Sequence, residues 1–217
     1  MGMFNQNSGF VKFVNRALDV LWLNLLWLVF SLPLITIGAS TCAAFSVTLK
    51  MVDEEEGYVG RQFVKAFKEN FKQGTLMWLI TAPLLYACYI IWQVVIKADD
   101  INFLVILGAI IFSALVILVN LYTYPQIARY KNTLKNIVKN SVGISFTYYT
   151  KTLLIIALVA LEVVIISWNR YTLLAGIIVG PEFIIYTISG IAKKIFLRIE
   201  KHNNTPGGTE NTGTINQ

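Results

Sequence analysis

Two glutamates stand inside otherwise apolar runs of this 217-residue chain, and no other residues are better placed to do chemistry. Glu182 follows Gly180-Pro181 near the middle of Thr172–Ala192, and Glu162 lies within Thr152–Trp168. A carboxyl in apolar surroundings is costly to ionise, so it faces a cavity, finds a partner or carries a proton. Pro181 sharpens the case for Glu182, because proline has no N–H for the helix ladder and kinks it. A protonated or hydrogen-bonded contact between helices is the plain alternative for both acids. Arg170, between them, either reaches Glu162 or anchors its loop at the lipid headgroups, and the second is the simpler expectation. Asn24, Gln93 and Asn120 also fall in apolar runs, where hydrogen bonds between helices are their default use.

Other chemistry lacks its residues. Apart from Asp19 at the edge of the first, the apolar runs hold no His, no Asp and no paired acidic motif, so no enzyme is expected. Cys42 and Cys88 lie far apart in apolar stretches, and His202 is the only histidine, which leaves a metal or a disulfide framework without ligands. No cofactor is expected. Glu54-Glu55-Glu56-Gly57 reads as a solvated acidic loop. The net charge of +6 comes from basic residues grouped in short stretches between apolar runs, a mark of membrane topology rather than of nucleic-acid binding.

These residues need a membrane to hold them. Apolar residues make up 56 % of the chain and charged residues 14 %, against roughly 25 % charged in soluble domains. The predicted fold is an all-α polytopic bundle of about six membrane helices, at 18–35, 37–52, 74–96, 103–124, 152–168 and 172–192. The first two form a tight hairpin broken at Ser31-Leu32-Pro33, and the second, rich in Ala, Ser and Thr, either spans or re-enters. Residues 1–201 make one membrane domain, and 202–217, rich in Asn, Thr and Gly, a disordered tail. Leu18 opens an apolar run that continues past any small-residue cleavage site, unlike a signal peptide. Lys and Arg number two before Leu18, five in 50–73, five in 125–151 and four after 192, but one each in 97–102 and 169–171. With six crossings all four rich segments share one side, which places both termini in the cytoplasm.

Two of those rich segments are patterned. Phe63, Phe67 and Phe71 recur every four residues in Arg61–Lys72, with Lys65, Lys68 and Lys72 on another face. In 127–139 the stripe is Ile127, Tyr130, Leu134 and Ile137, against Lys131, Lys135 and Lys139. Both predict amphipathic helices at the cytoplasmic interface (61–72 and 127–139), touching lipid or a partner. Gly176-Ile177-Ile178-Val179-Gly180 permits close helix packing, with self-association as a further use.

The stretches Asn24-Leu25-Leu26-Trp27-Leu28, Phe30-Ser31-Leu32-Pro33, Thr36-Ile37-Gly38, Glu55-Glu56-Gly57-Tyr58 and Phe67-Lys68-Glu69-Asn70-Phe71-Lys72-Gln73 resemble the YesL-like family of bacterial membrane proteins. The likeness is sharp over the first 75 residues and follows span order beyond them. Ala39 stands where that family often has proline. The resemblance implies a bacterial plasma-membrane protein encoded near carbohydrate ABC-transporter genes, and supplies no site residues. Two functions follow as expectations: an accessory or assembly partner of a carbohydrate uptake system, contacting ABC-transporter subunits, or a small autonomous transporter proton-linked through Glu182.

Overall fold

A computed structural model describes residues 9–52, 57–98 and 102–203. Their elements are the helices α1 (Gly9–Ser31), α2 (Ile37–Met51), α3 (Val59–Lys97), α4 (Phe103–Arg129), α5 (Leu134–Thr147), α6 (Tyr149–Ser167) and α7 (Arg170–Asn203), with a 3-10 turn at Leu34–Thr36. No strand occurs among the described residues. The acidic run Glu54-Glu55-Glu56 and residues 204–217 of the expected tail lie outside them.

Five stretches are long and apolar enough to cross a membrane: Val14–Ser31, Leu34–Met51, α3, α4 and α6. The sixth expected span lies in α7, a 34-residue helix. The chain is therefore a multi-pass helical membrane protein. Its spans are not equivalent, because 67 % of Leu34–Met51 is buried inside the protein and no more than 22 % of any of the other four. Composition explains this. Gly38, Ala39, Ser40, Cys42, Ala43 and Ala44 keep α2 thin, so neighbours close around it. A Cβ added to Gly38 would lie 2.1 Å from the carbonyl oxygen of Gly74 in α3, and one on Gly74 would lie 2.8 Å from Cα of Ala39. The two backbones touch at this point, and no side chain fits between them. By contrast, α1 turns Leu18, Leu21, Trp22, Leu25 and Val29 outward at three- and four-residue steps, the face lipid would cover.

The break between α1 and α2 falls where Pro33 predicts it. Thr36 closes the turn by donating from Oγ1 to the carbonyls of Phe30 and Pro33, both at 2.6 Å, and Trp27 Nε1 donates to Thr41 Oγ1 at 3.1 Å across the hairpin. Two cationic side chains secure the far end of α2. Arg16 donates to the carbonyl of Met51, and Lys193 Nζ to the carbonyl of Leu49 at 2.6 Å. Both meet carbonyls that the helix leaves unpaired, at the negative end of its dipole.

The amphipathic stretches differ from expectation in their boundaries. Arg61–Lys72 is not a separate helix: it runs without a break into the span over 74–96 as α3, 39 residues or about 58 Å long. Gly74 causes no interruption, since its missing side chain is used for packing on α2. In the second stretch, Ile127 belongs to α4, which ends as Tyr130 turns extended (φ −116°, ψ 136°), and α5 begins at Leu134. Asn132 takes the backbone N–H of Thr133 at 2.7 Å, the local hydrogen bonding by which asparagine competes with a helix.

Overpacking the α2–α3 contact should be costly. Gly38→Ala is expected to lower stability by about 1–3 kcal/mol, as overpacked cores do, read as a fall in thermal midpoint in mild detergent. An unchanged midpoint would show that the helices separate freely there.

Candidate functional site: a buried acid between α1 and α7

Helix α7 is the polar spine of the bundle. Its buried face carries Glu182, Ile185, Ile188, Ser189, Ala192, Lys193, Ile195 and Phe196, the three- and four-residue spacing of one helical side. Most polar members of that face have partners. Ser189 Oγ pairs with Thr48 Oγ1 of α2 at 2.8 Å, and Lys193 reaches Leu49 as described.

Glu182 is the exception. It is 0 % exposed, and neither carboxyl oxygen has a hydrogen-bond partner among the described residues. Its backbone N–H, one residue past Pro181, donates to Asn24 Oδ1 of α1 at 3.1 Å. The structure thus brings together two polar residues that lie 158 positions apart. A carboxylate left bare in such a setting would carry an uncompensated charge, which costs several kcal/mol even after relaxation. Burial of this kind either holds a neutral acid or marks a place where something else binds.

Glu162 is held differently. Thr187 Oγ1 of α7 donates to Glu162 Oε1 at 2.5 Å, while Oε2 is buried without a partner. Arg170 makes no ion pair among the described residues and is exposed, in keeping with an anchoring role. The glycines of the GxxxG run pack within the chain: a Cβ on Gly176 would lie 2.3 Å from Ile166 Cγ2, and one on Gly180 2.9 Å from Ile166 Cδ1. Ile166 of α6 therefore fills the groove they make. Asn120 accepts from Thr81 Oγ1 at 2.9 Å and joins α4 to α3, as expected of a polar residue within a span.

The residues expected to face lipid or a partner divide. Phe63 is wholly buried and packs edge-on to Phe30 of α1, with centroids 5.3 Å apart. Phe67 meets Phe30 at 4.9 Å, and only Phe71, 43 % exposed, is open at the end of the row. Lys131, Lys135 and Lys139 are all exposed. Gln73 Nε2 donates to the carbonyl of Asn132 at 2.8 Å, which brings the Lys72 end of the α3 row to the Lys131 end of the second row.

One cluster had no forecast in the sequence. Arg129 at the end of α4 grips Glu200 of α7 through Nε and Nη2, each 2.9 Å from a carboxylate oxygen, and the Tyr130 hydroxyl donates to Glu200 Oε1 at 2.5 Å. The hydrogen bonds from Arg129 hold the Glu200 carboxyl below its ordinary range. A signal was available, since Glu200 is the lone acid among Lys193, Lys194, Arg198 and Lys201.

A multi-pass membrane protein built around a sheathed central helix, with an acid of its last helix buried against the first, is the class these features define. Residues 20–92 match the family described as "Protein of unknown function, DUF624". The match takes in the α1–α2 hairpin and most of α3, hence the glycine contact, and it agrees with the YesL-like resemblance over the same part of the sequence. No curated protein and no solved structure matches the chain.

Because Glu200 is the more acidic when folded, its contribution to stability is present at neutral pH and is lost as pH falls through and below the ordinary carboxylate range. Thermal midpoints followed from pH 7 downward should show that loss in the natural protein and a flatter profile in Glu200→Gln. Identical profiles would refute the linkage.

Proposed function

We propose that this protein is an accessory or assembly partner in the bacterial plasma membrane, with both termini cytoplasmic, serving a carbohydrate uptake system. The observation that carries the reading is the joined basic surface. Lys65, Lys68 and Lys72 of α3 and Lys131, Lys135 and Lys139 are exposed, and the Gln73–Asn132 hydrogen bond brings the Lys72 end of one row to the Lys131 end of the other. Such a surface suits an acidic face on the cytoplasmic side of a transporter subunit, and Phe71 adds an apolar anchor at its edge. Phe63 and most of Phe67 serve the protein's own core instead. The uptake system itself enters through the family resemblance, by analogy.

Cross-linking in native membranes, followed by mild-detergent purification and mass spectrometry, tests this. A stoichiometric transporter subunit linked through those lysines is expected, and Lys131→Glu, Lys135→Glu and Lys139→Glu together should reduce its recovery at least tenfold. Recovery of the protein alone, by the natural sequence, would count against the reading.

A second reading, a small transporter driven by protons through Glu182, is favoured by the burial of that acid against Asn24. Glu182→Gln should then abolish uptake while leaving the amount of protein in the membrane unchanged, and uptake at the natural rate would dismiss it.

A further inference from the structure

Glu182 lies at the blind end of a row of polar groups. Towards the C-terminus, α7 carries Ser189, Lys193 and Glu200 at steps of seven, four and seven residues, which keeps all four on one side of the helix. Along this row Ser189 meets Thr48, Lys193 meets the carbonyl of Leu49, and Glu200 meets Arg129 and Tyr130. Exposure rises along it, from 0 % at Glu182 and Ser189 to 2 % at Lys193 and 35 % for the Glu200 side chain. Fastening α7 to its neighbours accounts for each of these pairs. It does not account for a carboxyl at the buried end with both oxygens unpartnered.

We propose that the α2–α7 seam is the route by which a proton reaches Glu182 from the end of the bundle that bears the Arg129–Glu200 pair, with the Thr48–Ser189 hydroxyl pair as its relay. A hydroxyl accepts a proton on a lone pair as it releases its own, so the relay ends unchanged. The proton comes from a hydronium ion at the open end, which is left as water, and finishes on a Glu182 carboxylate oxygen, leaving a neutral acid. Glu182 and Ser189 are about 10 Å apart along the helix axis, so water enters between them during transfer. Of the other polar groups on helices packed against α7, Asn24 holds the Glu182 N–H, Glu162 is engaged through Oε1 by Thr187, Cys42 is sealed in the core, and Ser31 and Ser40 are buried hydroxyls that no polar row joins to an exposed end. The Ser189 side is the one on which polar groups continue along α7 to an exposed end.

The proposal rests on the proton-linked reading and adds its path. The test is the infrared carbonyl band of the protonated Glu182 carboxyl, identified in lipid nanodiscs by its absence from Glu182→Gln. On transfer to D2O the band should shift promptly in the natural protein, and at least tenfold more slowly in Ser189→Ala and Thr48→Val. Ser189→Thr, which keeps the hydroxyl, should restore the rate, a rescue that mere loosening of the helices would not give. Equal rates in all four, absence of the band in the natural protein, or a band that never shifts would overturn the route. Uptake is measured separately, so loss of transport in Glu182→Gln alongside unaltered exchange in Ser189→Ala would remove the path and leave the transport reading standing.

Discussion

The backbone contact between Gly38 and Gly74 sets the spacing on which the remaining helices depend. With a Cβ at either position meeting main-chain atoms within 3 Å, α2 and α3 approach as closely as two helices can. Tight approach leaves little room for side chains, so α2 is built of small residues, and four helices close around it. Lipid tails are as apolar as leucine, so burial from water adds little to helix association here. Packing and hydrogen bonds do that work. The hydroxyls of α2 supply the bonds: Thr41 to Trp27 of α1 and Thr48 to Ser189 of α7.

The same logic places charge. Arg16 and Lys193 each give a hydrogen bond to the last turn of α2, from α1 and α7 respectively. Both are thus positioned in part by the negative end of one helix, with Asp19 near Arg16 and Glu200 near Lys193 adding charge of the opposite sign. Glu182 sits beyond the reach of that arrangement, against Asn24, which leaves it the one carboxyl of the interior with neither oxygen answered among the described residues.

Much of this architecture was legible from periodicity alone. Apolar runs of about 20 residues gave the spans and Pro33 the hairpin. Boundaries were less legible, because Arg61–Lys72 and the following span differ in composition and yet share an unbroken backbone ladder, on which composition has little hold. Phe63 illustrates a further limit. A phenylalanine stripe looks the same in sequence whether it meets lipid or Phe30 of another helix. Glu182 and Asn24 could each be singled out as polar residues in apolar runs, but their meeting depends on how α1 and α7 cross. The Arg129–Glu200 pair, 71 residues apart and made of ordinary surface types, was hidden for the same reason.

The sheathing of α2 also bears on how the protein is made. A helix rich in Ala, Ser, Thr and Gly offers lipid few large side chains, and this one starts only six residues after α1 ends. During synthesis it would enter as the returning arm of a hairpin led by α1, whose leucines and tryptophans favour the lipid. Its partners then arrive at very different times, with α3 following at once and α7 last, when the chain is nearly finished. Until α7 is in place Thr48 lacks Ser189 and the carbonyl of Leu49 lacks Lys193. A nascent chain halted before its final helix would therefore present an unfinished seam to the membrane, the kind of feature by which quality-control proteases distinguish incomplete proteins from complete ones.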